Sequence, residues 1–108
     1  MTLTQAIEKF LDYYRAQSAR SATTYRTGLN HFAHWLDNGD IDAGTLTPTQ
    51  AREFALWLAN DYRTKYGQKL NRNSLHLYLV ALQKFYDHLI LNDIISGENF
   101  MSTRKWIS

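Results

Sequence analysis

The sequence of 108 residues contains no cysteine and one proline. Without cysteine there can be no disulfide framework and no thiolate metal site, a composition that suits a reducing compartment. No apolar run approaches the ~18 residues of a membrane span, and Met1 leads into polar residues rather than a signal peptide. The chain is therefore expected to be soluble and cytoplasmic, with no membrane partner. There is no His-Glu-x-x-His pattern, no glycine-rich phosphate loop and no nucleophile elbow, so no catalytic residue and no cofactor is expected. His31 and His34 are spaced for two ligands on one helix, but zinc asks for a third or fourth and none stands beside them. No metal site is assigned.

What is present is a core. Hydrophobic residues make up 44% and aromatic residues 14% of the chain, enough for one domain that buries roughly 65% of its unfolded surface. The net charge of +2 conceals an alternation. Residues 13–36 carry Arg15, Arg20 and Arg26 with no acid, and residues 62–86 carry Arg63, Lys65, Lys69, Arg72 and Lys84 with no acid before Asp87. Between them, 37–61 holds Asp37, Asp40, Asp42, Glu53 and Asp61 against Arg52 alone.

Helical periodicity runs through the chain and nothing alternates like a half-buried strand. Leu3, Ala6, Ile7, Phe10, Leu11 and Tyr14 predict a helix over about 3–16, opened by a Thr2/Gln5 capping box. A second helix follows with Ser21 as its N-cap and Tyr25, Leu29, Phe32 and Leu36 on one stripe, stopping before Asn38-Gly39. Thr47-Pro48-Thr49-Gln50 combines an N-cap, a proline at the first helical position and a capping-box glutamine, and Gly67 suits a left-handed stop to that third helix. The fourth opens near 71–74 and runs to about Asn92. Ile94, Ile95 and Phe100 are expected to fold back, with 1–100 as the domain and 101–108 as a tail or linker. Short links predict an all-α bundle of four main helices in two antiparallel pairs, with the second and fourth helices starting at one basic end.

Helix N-termini present unpaired N–H groups and a partial positive charge that suit phosphate. The second helix offers Ser18, Arg20, Ser21, Thr23 and Thr24 there; the fourth offers Lys69, Asn71, Arg72, Asn73 and Ser74. Opposite its apolar stripe the second helix carries Arg26, Thr27, Asn30 and His34, residue types able to touch phosphates and base edges. The outward side of the fourth holds His76, Leu77, Val80 and Lys84, where the two apolar residues imply a helix buried on more than one side. Trp35 and Trp57 read as bundle packing, and Trp106 as a tail residue.

The order Thr4-Gln5-Ala6-Ile7-Glu8-Lys9-Phe10-Leu11, then Ser21-x-x-Thr24-Tyr25 with Leu29, Phe32 and Trp35-Leu36, then Leu46-Thr47, resembles the N-terminal core-binding domain of tyrosine recombinases, the phage integrase family. The resemblance continues through Ser74, Leu82, Phe85-Tyr86 and Leu89 to Ile94/Ile95 and Asn99, departing where the family usually has Asn-Pro and this chain has Asn99-Phe100. It implies a SAM-like bundle forming half of a clamp on double-stranded DNA, with the second and fourth helices toward the major groove. It also implies two further partners, a C-terminal catalytic domain of the same parent chain and other recombinase protomers on the DNA. The family's tyrosine nucleophile belongs to that catalytic domain, so the chain alone is expected to bind DNA and cleave nothing. The alternative is a helical protein-interaction module whose basic end meets an acidic partner.

Overall fold

The computed structural model describes residues 1–37 and 40–95, folded into α1 (Leu3–Gln17), α2 (Ala19–Leu36), α3 (Pro48–Asn60) and α4 (Arg72–Leu91), with a 3₁₀ turn at Ala43–Thr45. The expected all-α bundle is what these residues form. The readings at Asn38-Gly39, Asn99-Phe100, 101–108 and Trp106 lie outside the described residues.

Each helix start is written in short polar residues. Thr2 Oγ1 accepts from Gln5 N (3.1 Å) while Gln5 Oε1 accepts from Thr2 N (3.0 Å), and Thr47 and Gln50 repeat the box at 3.2 and 2.9 Å. Asn71 Oδ1 accepts from Ser74 N at 2.7 Å to start α4. The start of α2 corrects the expectation: its N-cap is Ser18, whose Oγ accepts from Ser21 N (3.2 Å), so Ser21 already lies in the first turn. Ser18 also ends α1, donating its N–H to Tyr14 O at 2.7 Å. One extended residue thus serves as stop and start, and α1 and α2 form a hairpin with no loop to spare.

Of the other boundaries, the end of α2 falls before Asn38-Gly39 as expected, and the end of α3 differs from the sequence reading. Asp37, in the left-handed region at φ 58°, ends α2 by donating its N–H to His34 O. Gly67 is left-handed as expected (φ 77°) but does not stop α3, which ends at Asn60. It closes a separate turn, donating to Thr64 O (2.8 Å) while Thr64 N donates to Gln68 O (2.7 Å). The acidic link between α2 and α3 is also tied down: an antiparallel bridge joins Thr2 to Asp42, with Leu3 N on Ile41 O and Ala43 N on Met1 O.

Phe10, Phe32, Phe54, Phe85 and Tyr86 are wholly buried and meet edge to face, Phe10 on Phe85 at 5.6 Å and Phe32 on Phe54 at 5.2 Å between ring centroids. Burying each such ring stabilises the fold by roughly 1.5–3 kcal/mol relative to exposure. Tyr86 spans the bundle and donates its hydroxyl to Thr47 O (2.8 Å), fixing α4 to the cap of α3. Trp35 and Trp57 flank Phe54, as expected of packing residues. Ile94 and Ile95 fold back onto the core, with Ile94 N on Leu89 O.

The broadest packing of α2 is on α1 and α4. It crosses α4 at Gly28, the tenth residue of α2, against Tyr78, the seventh of α4; a Cβ placed on Gly28 would stand 3.1 Å from the Tyr78 Cα. The missing side chain is what lets the two helices approach so closely. On α4 the inward face is Ala81, Leu82, Phe85, Tyr86 and Leu89. Leu77 does not share that burial. It is exposed and Val80 is half-buried, so the helix is covered on fewer sides than their apolar character implied. Among the described residues no helix is long and apolar enough to cross a membrane.

Candidate nucleic-acid interface

The first turn of α2 contains no acid. Arg20 and Thr23 are exposed there, with Ser18, Ser21 and Thr24 half-buried beside them. The hydroxyls of Thr23, Thr24 and Thr27 donate back to the carbonyls of Ala19, Arg20 and Thr23 at 3.1, 3.4 and 3.3 Å. With their protons engaged in this way, they present acceptor oxygens rather than donors, and Arg20 supplies the positive charge at this end.

Arg26 sits differently from what its acid-free surroundings in the sequence suggest. Its guanidinium donates to both carboxylate oxygens of Glu8 on α1, at 2.8 and 3.3 Å. The hydrogen bond holds the Glu8 carboxyl below the usual carboxylate range and raises Arg26 in turn. Arg15 is likewise paired with Asp12 at 2.8 Å. The Glu8–Arg26 pair is invisible in the linear charge pattern because it spans the α1–α2 hairpin, whereas Asp12 and Arg15 lie three residues apart on α1.

At the start of α4, Lys69, Asn71, Arg72, Asn73 and His76 are exposed and Ser74 is half-buried. The Asn71 carboxamide oxygen is occupied by the cap, but Lys69 and Arg72 make no ion pair among the described residues. The preceding link adds features the sequence reading did not single out. Arg63 donates to the carbonyls of Asn60 and Tyr62, both at 2.9 Å. Lys65 Nζ lies 5.2 Å from the ring centroid of Tyr66, which is 77% exposed. The available signal was an aromatic residue set among lysines just before a turn glycine.

The two basic stretches meet at the centre of α2. Its first turns lie against α1, with Tyr25 on Tyr14 at 5.3 Å, whereas the start of α4 reaches Gly28. The contact is thus away from the N-terminal turn that the sequence reading emphasised. His31 completes it: its ring stands 5.1 Å from Tyr62 of the α3–α4 link and 5.4 Å from Tyr78 of α4. Thr27, Asn30, His31 and His34 line a shallow groove of about 410 Å³ along this part of α2. No group of three or more metal-ligating side chains occurs among the described residues.

A model of the phage integrase N-terminal SAM-like domain matches residues 7–93, most of the chain. No curated protein and no solved structure is similar enough to be matched.

Proposed function

The chain belongs to the family of phage integrase N-terminal SAM-like domains, and from that premise we propose that it grips duplex DNA as the N-terminal half-clamp of a tyrosine recombinase. The observation that carries this reading is the pair of cations that make no ion pair among the described residues, Lys69 and Arg72, at the start of a helix that packs across the middle of the acid-free α2 at Gly28. Cations held clear of carboxylates can displace the counterions condensed on DNA, and that release supplies the affinity. Arg20 and the first-turn amides of α2 extend the phosphate contacts; Thr27 and Asn30, which line the α2 groove, and the exposed His76 of α4 add polar contacts between them. Residues 1–100 make up this gripping unit.

Strand cleavage and rejoining belong to a C-terminal catalytic domain of the parent chain, and assembly on DNA brings further protomers together. Tyr86 is unsuited to the nucleophile's role: burial pushes its hydroxyl to a higher pKa, and its proton is given to Thr47 O inside the bundle. DNA added to the labelled chain should shift amide NMR signals at residues 18–30 and 68–77. Binding should weaken with a log–log salt slope of about −4 to −5, as expected for ~4–6 neutralised phosphates. Shifts confined to 37–61, or none at low salt, would refute the proposal; absence of DNA-induced shifts would leave docking of an acidic protein at the basic end as the alternative.

A further inference from the structure

With Arg26 engaged by Glu8, the outer face of α2 beyond Arg20 has no unpaired arginine or lysine: Thr27, Asn30, His31 and His34 follow, and α2 contains no acid from Ala19 to Leu36. The charge of this half of the face is therefore set by two histidines, which line the same groove, with the exposed carboxylate of Asp37 at the helix cap beyond His34. We propose that His31 and His34 form a further phosphate-binding site for the DNA backbone, empty of charge when the rings are neutral and active when they carry protons. The proposal rests on the DNA-binding reading and adds a contact and a control to it.

The geometry gives the two rings different parts. His34 is exposed and free to meet a phosphate directly. His31 is half-buried between Tyr62 and Tyr78, so its protonation also charges the junction where α2, the α3–α4 link and α4 meet. The groups facing it are His34 on its own helix, the Tyr62 phenol from the link and the Tyr78 phenol from α4. Asp61 and Arg63 flank Tyr62 in the chain, the latter bound to carbonyls. On α4 the residues one turn either side of Tyr78, Ser74, Leu75, Ala81 and Leu82, are uncharged. Burial and the neighbouring His34 both lower the pKa of His31, keeping it neutral at pH 7 in the absence of DNA.

A phosphate laid in the groove reverses that balance, since an adjacent anion favours the charged imidazole. Binding then takes up protons, and linkage requires affinity to rise as pH falls through the histidine range. The Glu8–Arg26 pair does not open in the same interval, because Glu8 titrates below the ordinary carboxylate range.

The test is fluorescence anisotropy of a labelled non-specific duplex with the whole chain at fixed ionic strength between pH 8.0 and 5.5. Affinity is expected to rise about tenfold on acidification, with the salt slope steepening by about 1 to 2. His34→Gln, at an exposed position, should remove a large part of the rise, and His31→Gln with His34→Gln should abolish it. In NMR titrations the ring signals of both residues should show higher midpoints with DNA than without. A rise that persists undiminished in the double variant would belong to His76 or His88 and overturn the proposal, as would binding that is strong but independent of pH. Absence of binding at every pH would overturn the DNA-binding reading itself.

Discussion

Residues 13–36 and 62–86 are the two acid-free stretches of the chain, and the fold treats their cations in opposite ways. In the first, Arg15 and Arg26 are held by Asp12 and Glu8 of α1, leaving Arg20 as the arginine outside an ion pair. In the second, Arg63 is spent on carbonyls and Lys65 on an aromatic face, while Lys69 and Arg72 make no ion pair among the described residues. Local charge density along a chain therefore overstates the field that a partner meets. What counts is which cations remain after nearby carboxylates, on the same helix for Arg15 and across the α1–α2 hairpin for Arg26, have taken their share.

The largest effect should come from the place where the two regions touch. Gly28→Ala puts a methyl group 3.1 Å from the Cα and 3.2 Å from the Cβ of Tyr78, and backbone atoms cannot turn aside as a side chain can. Alanine would by itself favour an exposed helix over glycine by about 1 kcal/mol. Overpacking should outweigh this, for a net loss of about 1–2 kcal/mol. Thermal unfolding should show a lower melting temperature, by about 4–8 °C per kcal/mol lost. A higher one would mean that α2 and α4 are not locked at this crossing.

The next effect separates the two stretches by function. Lys69→Ala combined with Arg72→Ala removes the two cations at the start of α4 that make no ion pair among the described residues, and should weaken DNA binding about tenfold or more at low salt while flattening the salt slope by about 2. Melting should move little, because both residues are exposed and away from the core. Binding that survives with its salt slope intact would move the electrostatic contact to α2.

Much of this arrangement was legible from residue order, and the exceptions share a cause. The capping boxes at Thr2/Gln5 and Thr47/Gln50 and the apolar stripes of all four helices depend on neighbours a few residues apart, so they could be read directly. Ser18 and Ser21 compete for one N-cap with the same side chain, and the choice falls to the residue that can also stop α1. Gly67 was recognised as left-handed but assigned to the wrong element, since a local conformation does not say where a helix ended before it. The residues proposed to face phosphate were chosen by type and position alone. That Arg26 belongs to Glu8, that His31 lies between Tyr62 and Tyr78, and that α4 meets α2 at Gly28 are facts of packing between distant segments, which no window along the chain contains.

The smallest effect is the sharpest test of that distinction. Glu8→Gln removes one negative charge and leaves Arg26 in place without its ionic partner. The pair is largely solvent-exposed, so stability should change by less than about 1 kcal/mol. If the first stretch is weak only because its arginines are occupied, the released guanidinium should reach a phosphate. DNA affinity should then rise about two- to threefold at low salt, the salt slope should steepen by up to about 1, and the gain should fade at high salt. A fall in affinity would mean that Glu8 positions Arg26 for DNA rather than withholding it, and the contrast between the stretches would become one of geometry instead of available charge.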